Sequence, residues 1–365
     1  MDYKVSIIIP MYNAREYIRE NVDSLLKQTL REIEIVIVND CSPDDSMEIC
    51  RSLYGTNERV QLIDQPKNMG PGEARNRGIK EARGEYIAFV DSDDAVWPDG
   101  FEKMYRTAKE NDADVLHCTG AIYPLVKNPP VNLLDVDEAD LAKLPLDRYD
   151  IATEVRTVSS DPIERFKNWK NEAYHWNVWN KLYRRTFLLD NDLYFGNMRV
   201  AEDQVFCFGC LIYAGNYVQM PGEFYLYRIS GDSLSRSGNR ISLLTKALRA
   251  SIDSEPVIRK LMKGVPAFAD KPDLIREAVW FVTDCLEKIF IRPVFQEMGA
   301  NGIMEDGSVR EIFAEYFGQS ADYVFYDFIE QHKNYPPVED MLKLISDIDY
   351  LKENVAKFGK QAVSD

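Results

Sequence analysis

Three carboxylates fall within the run Asp91-Ser92-Asp93-Asp94, directly after the apolar stretch Tyr86-Ile87-Ala88-Phe89-Val90. An apolar stretch of this kind fills a buried parallel strand. Acids crowded at its carboxyl end repel one another, so they must be met by water, a cation or a ligand that carries one. An oxygen-only cluster suits Mg²⁺ or Mn²⁺, which take one or two protein carboxylates and complete their shell with water and substrate phosphates. The chemistry implied is the handling of a diphosphate at the strand ends of an α/β sheet, where such folds bind ligands.

The elements that position this cluster follow from periodicity. Val5 to Ile9 reads as a strand ended by Pro10-Met11-Tyr12-Asn13, with Asn13 and Glu16 at capping-box spacing before a helix carrying Ile18, Val22, Leu25 and Leu26. Ile33 to Val38 is a second strand stopping at Asn39-Asp40, and Ser42-Pro43-Asp44-Asp45 signals a helix over Met47 to Leu53. Val60 to Ile63 is a third strand, followed by the turn Asn68 to Gly72 and a helix from Glu73 to Arg83 closed by Gly84. After the acidic cluster, Trp97-Pro98 starts a helix to about Asn111 for which Asp94 could serve as cap, and Asp114 to Cys118 is a further strand. Strands alternating with helices give a doubly wound α/β sheet with a Rossmann-like nucleotide-binding half.

At 365 residues the chain exceeds one ordinary domain, and 45% hydrophobic with 28% charged residues describes a globular protein with a sizeable core. A net charge of −16 repels a phosphate polymer, so no nucleic-acid partner is expected. The start MDYKVSIIIP is acidic and enters a strand at once, so it is not expected to be a signal peptide, and no apolar run is long enough to span a bilayer. A cytoplasmic protein is expected, with peripheral contact at the inner membrane face left open. Six cysteines fit reduced thiols. Cys207 and Cys210 form a lone CxxC in an apolar helical pattern, which favours packing over metal binding.

Further along, residues 121–150 carry scattered prolines and acids and read as an insert or flap. Ile163 to Trp169 reads as a helix and is followed by the aromatic block Tyr174 to Tyr183; Ala201-Glu202-Asp203-Gln204 opens another helix. Tyr217 to Met220 and Glu223 to Tyr227 are strand-like, and a polar loop runs from Arg228 to Arg236. From Ile241 the pattern changes to broad apolar helical stripes, including Leu274, Ile275, Ala278, Val279, Val282, Leu286 and Ile289, then Met341 to Leu351.

The blocks SIIIPMYNA, VIVNDCSPDDS, NMGPGEARNRGI, GEYIAFVDSDD, WNKLYRR and AEDQVF, in that order, resemble the family 2 glycosyltransferases of GT-A fold. The likeness covers about two thirds of the chain. GPGEARN ahead of DSDD, with AEDQ later, is most similar to enzymes that glycosylate wall teichoic acid or capsular polymers. No QxxRW motif or membrane span is present, which separates the chain from processive members and implies one sugar per encounter. The implied architecture is a GT-A mixed sheet over residues 1–238, divided into a nucleotide-sugar half (1–120) and an acceptor half (121–238), with a helical module over 239–365.

The resemblance assigns roles. A UDP-sugar donor would meet Pro10, Tyr12 and Asp40 at neighbouring strand ends, the base stacking on Tyr12 and its imino proton accepted by Asp40. Asn68 would touch the base or ribose and Arg75 the diphosphate. Asp93 would hold Mn²⁺ or Mg²⁺, with Asp91 on the metal shell or ribose and Ser92 beside them. Asp203 would be the base that takes the acceptor proton, with Glu202 as its neighbour. Arg228, Ser233 and Ser235 match a loop closing over the diphosphate, with Gly231 as hinge. His175, Trp176 and Trp179 would offer an acceptor platform, while Asn180 and Lys181 are as readily structural. Each has a plainer alternative: Tyr12 a staple, Asp40 and the Glu202-Asp203 pair helix-end acids, Arg75 a surface ion pair, the aromatics core.

The expected activity is metal-dependent, inverting transfer of a single sugar to a hydroxyl of a bacterial surface polysaccharide or teichoic-acid-like acceptor, whether glycan, polyol phosphate or lipid-linked. The helical module would form a homodimer, dock at the membrane or shape the acceptor groove. Two rivals are a non-catalytic sugar-nucleotide-binding component of an assembly complex and a sugar-phosphate nucleotidyltransferase. The second would need a Gly-rich triphosphate loop where Pro10-Met11-Tyr12-Asn13 stands, and intact Asp93 and Asp203 speak against the first.

Overall fold

The computed structural model describes residues 2–124, 146–149, 152–171, 174–228 and 240–333. Most of the 121–150 insert, Gly231, Ser233, Ser235 and the stripe Met341 to Leu351 lie outside them. The chain divides into two compact units, Met1–Asn197 with Phe206–Arg236 and Met198–Val205 with Ser237–Asp365.

The first unit is built on a mixed sheet. Strands β1 (Val5–Met11), β2 (Ile33–Asn39), β3 (Val60–Asp64) and β4 (Tyr86–Phe89) are mutually parallel in the order β3-β2-β1-β4. The sheet continues through β10 (Lys181–Arg184), antiparallel to both β4 and β6 (Val115–Cys118), then β11 (Tyr217–Met220) and the edge strand β9 (Arg156–Thr157). β1 and β2 are buried almost throughout because helices cover the parallel half on its faces, which is why their sequences read as largely apolar runs. Glu34 interrupts β2 yet is buried, accepting from the Ser6 hydroxyl at 2.5 Å and pairing with the Arg83 guanidinium at 2.7 Å.

Helices α1 (Ile18–Leu26), α2 (Ser46–Tyr54), α3 (Pro71–Glu81) and α4 (Gly100–Glu110) follow these strands. α3 packs tightly on β1 at Gly78, where a Cβ would stand 2.3 Å from Ile8 Cγ2, so only glycine fits without displacing Ile8. Two helix starts differ from the sequence expectation. Asn13 adopts φ 53° in a turn and donates its N–H to the Ser42 hydroxyl, so α1 begins later, at Ile18, without a capping box. Trp97 is still bonded through its N–H to Phe224 O at 2.7 Å, so α4 starts only at Gly100.

A second sheet has the order β5-β12-β7-β8, formed by Ala95–Val96, Tyr225–Leu226, Ala121–Pro124 and Leu146–Tyr149. The chain therefore leaves one sheet after β4 and joins another at β5, and the acidic cluster spans the crossing. The second unit is helical, with Arg240–Gly264, Pro272–Leu286, Arg292–Met304, Gly307–Phe317 and Ala321–Lys333 around a core that includes Leu244, Ile291, Phe295, Phe313, Phe325 and Phe328. Ile275, Ala278, Val279, Val282 and Leu286 are buried as their spacing predicts, whereas Ile289 is exposed. No described helix is long and apolar enough to cross a membrane.

Candidate active site

Strand register brings the sequence-derived donor residues of the first unit to one edge. Met11 pairs with Asn39 and Ile8 with Phe89, so Pro10 and Tyr12, Asp40, and Asp91 stand at the carboxyl ends of the adjacent strands β1, β2 and β4. Tyr12 is 47% exposed, which leaves its ring open to stack on a base. Asn68 is exposed on the loop entering α3, and Ser92 and Asp93 are half-buried.

Asp40 is buried and already well supplied with donors. One oxygen accepts from Met69 N–H at 2.7 Å and Gln65 Nε2 at 3.0 Å, the other from Gly70 N–H at 2.7 Å. It fixes the turn in which Gly70 takes φ 94° ahead of α3. A carboxylate has about four acceptor positions, so roughly one remains for a ligand.

Arg75 lies in α3 with its guanidinium over the Phe195 ring and 2.8 Å from Asp91 Oδ1. Arg75 is buried while the Asp91 side chain stays 29% exposed, so the pair presents a shaped carboxylate to solvent.

Asp94 turns the other way. It is buried, accepting from the Tyr225 hydroxyl at 2.6 Å and from Arg228 N–H at 2.7 Å, which corrects the expectation of a helix cap. Burial pushes its carboxyl well above the usual range, the nearby Asp93 and Asp91 charges add to this, and the two bonds oppose it. Among the described residues no three His, Cys, Asp or Glu side chains gather as a metal site. The carboxylates of the cluster that are only partly buried are thus Asp91 and Asp93, an oxygen-only set. That fits a Mg²⁺ or Mn²⁺ ion which arrives with a diphosphate and needs one or two protein carboxylates.

Arg228, expected on a loop that closes over the diphosphate, is bonded beside the acidic cluster. Its guanidinium is buried over the Tyr17 ring, donating to Asp93 O at 2.8 Å and to Glu20 Oε2 at 2.6 Å. Trp179 is a second correction: it is buried and stacked on Tyr225 at 4.1 Å, with no face left for a sugar. Trp176 is exposed and available, whereas His175 is half-buried with its ring packed edge-on against His117. Lys181 is buried with its ammonium on His175 O, Asn177 O and Asn180 Oδ1, which ties down the loop carrying them. Cys207 and Cys210 are buried, and burial pushes the Cys210 thiol up.

In the second unit, Glu202 and Asp203 occupy the first turn of the helix Glu202–Tyr213, entered through Ala201 at φ 62°. Glu202 is buried and Asp203 half-buried.

Sequence reasoning missed Asn21, Glu20 and Tyr225. The signal was present on α1 and just past its end, where Asn21, Ser24 and then Gln28 recur at helical spacing among Ile18, Val22 and Leu25 and are all buried. Polar residues in an apolar stripe mark a helix that must satisfy another segment's backbone.

The glycosyl transferase family 2 model matches residues 6–184. Glycosyltransferase GlyG of Streptococcus pneumoniae is 30% identical over 65% of this chain and 74% of its own length. The chain belongs to glycosyltransferase family 2. Another relative, the uncharacterized glycosyltransferase EpsJ of Bacillus subtilis, is 35% identical over 63% of this chain, which spans only 62% of EpsJ. The family fold is seen in a crystal structure of S. aureus TarS 1-349 in complex with UDP-GlcNAc, similar at TM-score 0.55 and 21% identity over 97% of this chain and 92% of that one. Like that structure, this family 2 chain has the GT-A mixed sheet and a C-terminal helical module.

Proposed function

We propose that the chain is an inverting, metal-dependent glycosyltransferase that moves one sugar from a UDP-sugar to a hydroxyl of a bacterial surface polysaccharide or teichoic-acid-like acceptor. One observation carries the reading. In a family 2 chain, an exposed Tyr12, a buried Asp40 and an Arg75–Asp91 pair share the carboxyl edge of β1, β2 and β4, beside a second, half-buried acid, Asp93. Tyr12 stacks on the base and the last acceptor position of Asp40 takes its imino proton. Arg75 supplies positive charge at the diphosphate. Asp93 and Asp91 would hold Mn²⁺ or Mg²⁺, which when bound stabilises the charge of the departing nucleotide.

Asp203 takes the proton from the acceptor hydroxyl as its oxygen attacks the anomeric carbon. The new carbon–oxygen bond forms on the face opposite the breaking bond to phosphate, and UDP leaves with that electron pair. A base positioned in this way contributes ~10² to 10⁴ in rate. The enzyme is taken to work in the cytoplasm.

UDP release from a panel of UDP-sugars with Mn²⁺ tests the reading. Asp203→Asn is expected to abolish turnover and keep donor affinity. Full turnover in that variant sinks the base assignment, and donor binding with no turnover under any acceptor would favour a non-catalytic binding component.

A further inference from the structure

Residues Asp91 to Asp94 have left one sheet and not yet joined the next, so strand pairing cannot satisfy their backbone, and side chains do so instead. The two hydrogens of the Asn21 amide go to Asp91 O and Asp94 O, each at 2.8 Å. The Tyr225 hydroxyl accepts from Asp91 N–H at 3.1 Å and donates to Asp94 Oδ2 at 2.6 Å. A single phenol thus ties the first residue of the turn to its last. Asp94 N–H closes the turn on Asp91 O at 3.1 Å. Asn21 and Tyr225 are both buried, and Trp179 stacked on Tyr225 at 4.1 Å fixes the ring.

We infer that Asn21 and Tyr225 are positioning residues for the diphosphate end of the donor: they hold the Asp91–Asp94 turn so that Asp91 and Asp93 face outward while Asp94 faces in. The inference rests on the nucleotide-sugar reading above. Neither side chain needs to touch the ligand. Without the phenol, Asp91 N–H and the buried Asp94 carboxyl each lose a partner, and the turn relaxes where two outward carboxylates must converge on one cation. A base held by Tyr12 and Asp40, on other strands, would not feel that change.

The test uses the full chain and isothermal titration with Mn²⁺ present. The ligands are UDP, GDP, CDP and dTDP, each with its monophosphate as control. For the diphosphate that binds wild type most tightly, Tyr225→Phe is expected to weaken binding about tenfold, as losing two buried hydrogen bonds implies. Monophosphate affinity is expected to stay within twofold and the circular dichroism spectrum to stay unchanged. Asn21→Leu, of similar volume, is expected to do the same, and if it does not fold Tyr225→Phe decides alone. Diphosphate affinity retained within twofold in folded Tyr225→Phe overturns the inference and leaves the nucleotide-sugar reading standing. Equal losses for diphosphate and monophosphate also overturn it, because they indicate general damage. If wild type binds none of the four diphosphates, the nucleotide-sugar reading falls and takes the inference with it.

Discussion

Arg228→Met separates a fixed support from a ligand on a closing loop. The guanidinium is 6% exposed and its partner Glu20 is 18% exposed at the side chain, with 2.6 Å between them. Removing one member of a buried pair typically costs about 3–5 kcal/mol, because the other charge is stranded. Water reaches Glu20 in part, which reduces this to about 2–3 kcal/mol, and the lost bond to Asp93 O adds about 1 kcal/mol. Methionine keeps much of the packing of the aliphatic stem over Tyr17. A net loss of about 3 kcal/mol corresponds to a fall of roughly 6–12 °C in the melting temperature of a unit this size. Differential scanning calorimetry on the full chain reads it. Glu20→Gln, alone and combined with Arg228→Met, closes a double-variant cycle whose coupling is expected to show that the two side chains stabilise each other. If Arg228→Met leaves the melting temperature unchanged and only raises KM for the donor, the guanidinium is a donor ligand and the argument from its burial is wrong.

Three further outcomes follow from the same structure. Asp93→Ala is expected to abolish the thermal stabilisation that UDP plus Mn²⁺ gives the wild type; stabilisation that persists would contradict its metal role. Trp179→Ala should lower stability by about 3–5 kcal/mol, as loss of a buried aromatic does, whereas Trp176→Ala, at an exposed site, should leave melting within about 0.5 kcal/mol and act on acceptor KM. His117 is buried with neither ring nitrogen hydrogen-bonded among the described residues, and burial, with Lys181 and His175 nearby, holds its pKa well below the ordinary value. The native state keeps it neutral, so below about pH 6.5 the unfolded chain binds a proton that the fold refuses and stability falls as pH drops, by at most about 1.4 kcal/mol per unit. Urea midpoints between pH 7 and 5.5 should show a steeper loss in wild type than in His117→Phe, and parallel slopes would refute the assignment.

The parallel half of the sheet was legible because β1, β2 and β4 are covered on both faces and read as largely apolar runs. The carboxylates after β4 were legible for the converse reason, since no core tolerates acids at that spacing without a purpose. Helix starts were less so. Trp97-Pro98 has the composition of a helix entry, yet Trp97 is bonded to Phe224, a residue far along the chain. The antiparallel insertion of β10 between β4 and β6 is likewise a long-range pairing with no local signature.

Within the site, residue type and order determined which acids and which tyrosine gather at the strand ends, because strand polarity places them there, while Arg75 reaches them from α3. Only the tertiary structure decided how they divide the work. Asp91, Asp93 and Asp94 are equivalent as letters, but Asp94 faces the Tyr225 phenol and the Arg228 amide from elsewhere in the chain and is turned inward. Trp179 and Arg228 have the composition of ligand contacts and are buried supports, because burial depends on what the rest of the chain lays over a residue, which local pattern does not encode.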